Sequence, residues 1–284
     1  MTKILVSSGC SFSDCFDSSN TWPNHLAKYF DNHYGLGRGG YGNGYISRSI
    51  IYAITNLLKI VDEKDIHVGI MWSSTERIDL RIPEYSNTGR IQTLIDQYTA
   101  CRGEDWPDEI DTWENLSSNI QTEIADNWGN LRHRLEIYDK NLWIKDSVLD
   151  TKDWIQLTTS MKKHPELREP FVNFYSNKIN NQVYSLEHIL RTQWFLTNNN
   201  IKYFMSCYTD KVLDIPNNID TSYLLDNIDL DKFVTTQGEE EWVRENIGHP
   251  IGFMSPTDYH PTSDSHKLWV EKVVIPIIGT KWKI

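Results

Sequence analysis

Two hydrophobic periods alternate along this chain, and that alternation limits the fold more than any other feature. Lys3-Ile4-Leu5-Val6-Ser7-Ser8 is a short apolar run ending in small polar residues, the pattern of a buried strand. Trp22, Leu26 and Phe30 then recur at helical spacing. A glycine-dense loop from Gly35 to Gly44 leads into Ile46, Ile50, Ile54, Leu57 and Leu58, which step by three and four residues along a second helix. After the polar break Glu63-Lys64-Asp65, the run Ile66 to Trp72 predicts another strand. Strand, turn, helix, loop, helix, strand is the rhythm of an α/β protein with parallel strands.

The rhythm resumes late in the chain. Ile179, Val183, Leu186, Leu190 and Trp194 mark one face of a long helix, stopped by Asn198-Asn199-Asn200. Ile201 to Cys207 predicts a strand, Leu230–Val234 a shorter one, and a last helix capped by Thr262 or Ser263 runs to Pro276. The expected fold class is therefore a three-layer α/β/α sandwich with about five parallel strands. It forms one domain over residues 1–284.

Between the two α/β portions lies a polar stretch, 80–175, read as an inserted and largely helical lid. It carries Trp106, Trp113, Trp128, Trp143 and Trp154, five of the eleven tryptophans. Tryptophan more often anchors helix packing, although it also stacks on sugar rings.

Composition excludes several classes of function. There are 28 Lys and Arg against 39 Asp and Glu, a net charge of −11, and a nucleic-acid partner needs a basic face. No apolar run approaches the ~20 residues of a membrane span, and the opening residues lack a secretory apolar core. A cytoplasmic or virion-associated location is expected, with no membrane partner. The four cysteines, Cys10, Cys15, Cys101 and Cys207, show no zinc spacing and make no disulfide framework. No metal and no cofactor are expected. The glycine loop twice satisfies G-x-G-x-x-G, at Gly35/Gly37/Gly40 and Gly37/Gly39/Gly42. A dinucleotide site also needs a firm strand before it, and Asp31–Tyr34 makes a poor one; Asp62 is loosely placed for the acid.

Two loops can carry chemistry. In Gly9-Cys10-Ser11-Phe12-Ser13-Asp14, Ser11 falls just past the first strand, at the sheet edge where α/β proteins bind ligands. Alone, such a serine is more often a helix cap, and Asp14 suits capping of the helix that follows. A second loop, Pro256-Thr257-Asp258-Tyr259-His260-Pro261, changes the balance. His260 and Asp258 can set imidazole and carboxylate on one edge, the acid orienting the ring while the far nitrogen takes a serine proton. His249 lies in a loop without such a partner. His266 falls inside a helical pattern, where a structural role is the simpler reading.

These blocks resemble those of the SGNH (GDSL-like) hydrolase superfamily. Gly9 to Asp14 resembles its nucleophile block, with Cys10 where Asp often stands. Gly40-Tyr41-Gly42-Asn43 resembles its second block, and Asp258-Tyr259-His260-Pro261 its last. The variant with Gly-Cys-Ser is common among uncharacterised bacterial and phage proteins. The resemblance implies Ser11 as nucleophile, His260 as base, Asp258 as orienting acid and Gly40 as an oxyanion donor. It implies a serine esterase acting on a small ester; the polar, Trp-bearing insertion makes an O-acetylated carbohydrate the preferred substrate, with short-chain lipid esters as the alternative. Two departures stand out. The acid of the family sits three residues before the histidine, where this chain has Thr257. Its third-block asparagine is missing from Met71-Trp72-Ser73-Ser74-Thr75-Glu76-Arg77, leaving Asn43 or the Ser73 hydroxyl as substitute donors. An impaired, glycan- or virion-associated binding module is the alternative. Arg77 with Glu76 and Asp79 reads as a salt bridge pinning the base of the insertion.

Overall fold

The computed structural model describes residues 2–14, 20–81, 154–158, 169–214 and 218–282. Its centre is a parallel sheet of four strands: β1 (Ile4–Ser8), β2 (Asn32–Gly35), β3 (Ile66–Trp72) and the later strand Lys202–Cys207. Their spatial order is Asn32–Gly35, β1, β3, Lys202–Cys207. β1 is fully buried and pairs on both sides, Val6 against Tyr34 and against Val68. The fifth strand expected at Leu230–Val234 shrinks to one parallel bridge, Met205 with Phe233, because Leu230–Lys232 coils into a 3-10 turn. The opposite correction applies at Asn32–Gly35. Its half-polar residues make a poor apolar pattern, yet it is an edge strand, where one flank stays open to polar side chains.

Helices cover both faces. On one lie α1 (Trp22–Leu26) and the C-terminal helices, packing Trp22, Trp269, Val270 and Val274 onto Leu5, Met71 and Phe204. On the other lie α2 (Asn43–Leu57) and α3 (Lys178–Asn198). The start of α3 is capped by Asn177, whose side chain accepts from the Asn180 N–H, and Asn200 at φ 55° lets the chain leave its end. Leu186 and Leu190 of the apolar period are buried as expected, but Trp194 is 55% exposed, and Gln182, Ser185, Thr192 and Gln193 are buried beside the leucines. Each of these polar residues makes a hydrogen bond; Gln182 donates to the Asp214 carbonyl and Gln193 to that of Asn227, both at 2.9 Å, while Gln182 Oε1 has no partner among the described residues. A polar stripe with fixed partners is invisible to a hydrophobicity pattern.

The strands β4 (Ile78–Arg81) and β5 (Trp154–Leu157) form a separate two-stranded sheet. The strand Lys202–Cys207 is β6 in chain order, followed by α4 (Ile219–Leu225), α5 (Glu239–Asn246), and the antiparallel hairpin of β7 (Phe253–Ser255) and β8 (Asp258–Pro261). Then comes α6 (Ser263–Trp269), capped by Thr262, whose hydroxyl accepts from the Ser265 N–H. Pro276 does not end the last helix. The helical backbone runs on through a π-turn at Val270–Val274, where the Ile275 N–H reaches back to the Val270 carbonyl, into α7 (Ile275–Trp282).

By its internal contacts the chain has two compact units: Met1–Asp79 with Gln156–Ile284, and Leu80–Ile155. The second begins where the composition changes and closes before 175. Its expected helical content, with Trp106, Trp113, Trp128 and Trp143, lies outside the described residues. Among the described residues no helix is long and apolar enough to cross a membrane.

Candidate active site

Ser11 is set by a turn that only glycine permits. A side-chain carbon at Gly9 would lie 2.1 Å from the Ser13 hydroxyl and 2.9 Å from the Met71 carbonyl. Ser11–Ser13 forms one 3-10 turn, closed by the Ser13 N–H on the Cys10 carbonyl at 2.9 Å. Ser13 and Phe12 are buried beneath it, with the Trp22 indole N–H donating to the Ser13 hydroxyl at 2.7 Å. Cys10, where the resemblance places Asp, is a buried thiol in this apolar cluster. The serine sits at the carboxyl edge of the sheet, on the innermost turn of a 2-1-3 strand order, where doubly wound sheets bind ligands.

The glycine loop presses onto that turn. The Leu36 N–H donates to the Ser7 carbonyl and the Arg38 N–H to that of Gly9, continuing β1 as a ladder. At Gly37 a side-chain carbon would meet the Ser13 carbonyl oxygen at 2.0 Å. This glycine is filled by the protein's own backbone rather than left open to a pyrophosphate, which argues against the dinucleotide reading although a strand does precede it. The Gly39 N–H donates to Asp14 Oδ2 at 2.8 Å, and Gly40 is left-handed at φ 83°. Asp14 therefore ties the loop to the serine turn. It does not cap α1, whose N-cap is Thr21.

His260 reaches the serine from the far end of the chain. Its Nε2 lies 2.7 Å from Ser11 Oγ, across 249 positions. β8 is a strand, so its alternation puts Asp258 and His260 on one face, and a spacing of two brings the carboxylate onto the ring. Asp258 Oδ1 accepts from both His260 Nδ1 and the His260 backbone N–H, the latter at 3.0 Å. Asp258 is therefore the orienting acid, and Thr257 contacts Ser255 instead. Burial pushes the Asp258 carboxyl upward in pKa, but the bonds from His260 outweigh it and hold the group below its ordinary value. With Nδ1–H donated to Asp258, Nε2 offers its lone pair to the Ser11 hydroxyl. That is the tautomer a general base requires. Phe12 packs on the same imidazole, ring centres 5.1 Å apart.

Asn43 takes a different role from the expected one. It is fully buried; Nδ2 donates to the Ser73 carbonyl at 3.1 Å and to the Ser185 hydroxyl at 3.0 Å, while Oδ1 accepts from the Ser73 N–H at 2.7 Å. Both amide hydrogens are committed, so none is left for an oxyanion. Ser73 is buried too, its hydroxyl accepting from Arg77 at 3.0 Å. Asn43 clamps the start of α2 to the end of β3 and to α3. Arg77 also reaches the Tyr41 carbonyl, not Asp79. Asp79 instead accepts from the Tyr45 N–H at 2.6 Å, capping α2 internally, with Arg48 3.7 Å away.

Ser11, Asp14, Gly39, Asp258 and His260 border an open cleft of about 190 Å³, together with Met254 and His266. The last of these, read from the sequence as structural, is buried against a carboxylate that the sequence did not point to. The Glu239 carboxylate, which accepts from His266 Nδ1 at 2.7 Å, was hidden in Glu239-Glu240-Glu241, a run that reads as the solvated start of a helix. Compared with known proteins, the chain matches no family model, no curated protein and no solved structure.

Proposed function

We propose that this protein is a serine ester hydrolase of the SGNH type, cleaving a small ester through an acyl-enzyme. One observation carries the reading: the Ser11 hydroxyl, the His260 ring and the Asp258 carboxylate are in continuous hydrogen-bond contact at the sheet edge. Ser11 Oγ attacks the ester carbonyl carbon and its proton passes to His260 Nε2. The tetrahedral adduct collapses, the bond to the alcohol oxygen breaks, and His260 returns the proton to the leaving alcohol. Water then repeats the sequence on the acyl-serine, with His260 as base.

The oxyanion donors in this reading are the backbone N–H groups of Ser11 and Gly40. The cleft is smaller than the ~300 Å³ at which drug-sized sites begin, which favours a short acyl group such as acetyl. Its rim of hydroxyl, carboxylate and imidazole favours a carbohydrate over a lipid as the alcohol part.

A second reading, a binding module with reduced or no turnover, is favoured by the commitment of both Asn43 amide hydrogens. Losing one oxyanion donor lowers rates by ~100- to 1000-fold. A fluorophosphonate probe separates the two. Covalent labelling of the native chain, abolished in Ser11→Ala, supports the hydrolase; a native chain that stays unlabelled supports the binder.

A further inference from the structure

Glu239 and His266 form a carboxylate–imidazole pair that the acyl-transfer scheme leaves unused. Glu239 opens α5 and is completely buried, and its Oε2 finds no donor among the described residues. Burial drives its carboxyl upward in pKa, opposed by the contact with His266. As packing alone this is a poor choice. A buried acceptor without a partner is destabilising, and an apolar pair of similar volume is often as stable or more so.

The pair is not sealed from the site. His266 is only 2% exposed, yet it borders the cleft of Ser11, and Phe12 packs edge-on against it with ring centres 6.2 Å apart. Nδ1 is taken by Glu239, the one side-chain hydrogen bond that His266 makes among the described residues. In the neutral ring, Nδ1–H is donated to the carboxylate and Nε2 keeps its lone pair. The cleft is thus lined, besides the Asp258–His260 relay, by the His266 imidazole and by the Asp14 carboxylate, which already accepts from the Gly39 N–H. Acceptors select hydroxyl donors and repel anions.

We infer that His266 is a substrate-binding residue whose Nε2 accepts a hydroxyl of the alcohol half of the ester, with Glu239 as the positioning residue that fixes its ring. The inference rests on the hydrolase reading and narrows it. The substrate is an uncharged, hydroxyl-rich acetate such as a mono-O-acetylated hexose, in preference to an aryl or alkyl acetate.

The test compares kcat/KM for a mono-O-acetylated methyl hexoside and for p-nitrophenyl acetate. The native chain should favour the sugar ester. In the double variant Glu239→Leu with His266→Met, which leaves no buried charge, that preference should fall ~10-fold or more, through KM of the sugar ester. His266→Gln keeps a donor toward Glu239 and gives the same comparison in a native-like core. A preference within two-fold of the native value in a folded variant overturns the inference, since a packing pair would leave it unmoved. A native chain that hydrolyses p-nitrophenyl acetate without favouring the sugar ester overturns it too, with the hydrolase reading intact. A native chain that hydrolyses neither ester sinks both.

Discussion

The molecule carries two carboxylate–imidazole pairs around one cleft, and they differ chiefly in their access to water. Asp258–His260 lies on a hairpin rim with side chains 45% and 40% exposed, whereas Glu239–His266 is 0% and 2% exposed. The rim pair can exchange protons with substrate and solvent, and the carboxylate stays ionised at small cost. The interior pair has no such freedom. Its carboxylate and imidazole are held against each other in low dielectric, so removing one partner strands the other. Like chemistry in two settings thus gives one solvent-facing pair in contact with Ser11 and one interior pair enclosed by packing.

Substitutions sharpen that contrast. The largest effect should come from His260→Ala. The loss of the base is expected to lower kcat/KM by ~10,000-fold, read in an ester assay, with little change in thermal midpoint. His266→Ala should do the reverse. It leaves Glu239 buried and unpaired, and calorimetry or denaturant titration should show a loss of about 3–5 kcal/mol. Equal stability losses for these two variants would erase the distinction. Asp258→Asn comes next, with turnover falling by roughly 100- to 1000-fold as the ring loses its tautomer; the acid's exposure makes this milder than for a buried acid. Gly40→Ala places a side chain at φ 83° and should cost about 1–2 kcal/mol, with a fall in kcat that Ser11 labelling rates would follow.

The smallest effect is an acid sensitivity away from the cleft. Burial lowers His67 to about 4 from its ordinary 6.5, so between these values the unfolded chain binds the extra proton. Stability should therefore rise with pH through that window and drop on acidification. His67→Phe, which suits the packing against Phe30 and Trp282, should reduce the loss of thermal midpoint between pH 7 and 4.5 by roughly a few degrees. An unchanged acid profile would show that His67 is not buried in neutral form.

Much of the architecture is legible locally. The buried strands Ile4–Ser8 and Ile66–Trp72 are continuous apolar runs, and α2 follows its three- and four-residue spacing closely. Asn32–Gly35 escapes because an edge strand is held by its neighbour's backbone rather than by its own side chains. Trp194 misleads because an amphipathic pattern assumes that the buried face is apolar, and the buried face of α3 mixes leucines and isoleucine with amides and hydroxyls. In the site, Ser11, Asp258 and His260 are readable as residue types in short loops. Asn43 is not, since an amide that clamps and an amide that donates look the same until their partners are placed.

By itself, then, the amino-acid order determined the alternation of strands and helices, the glycine that turns the chain before Ser11, and the acid and base two positions apart near the other end. These are local matters, set by backbone freedom, side-chain period and the few residues on either side. Only the tertiary structure decided that the serine and the imidazole meet, that Asp258 orients the ring, that Asn43 is consumed as a clamp, and that Glu239 is buried beside His266. Each of those depends on which groups from distant segments exclude water together. No local pattern encodes that, because desolvation is a property of the assembled neighbours.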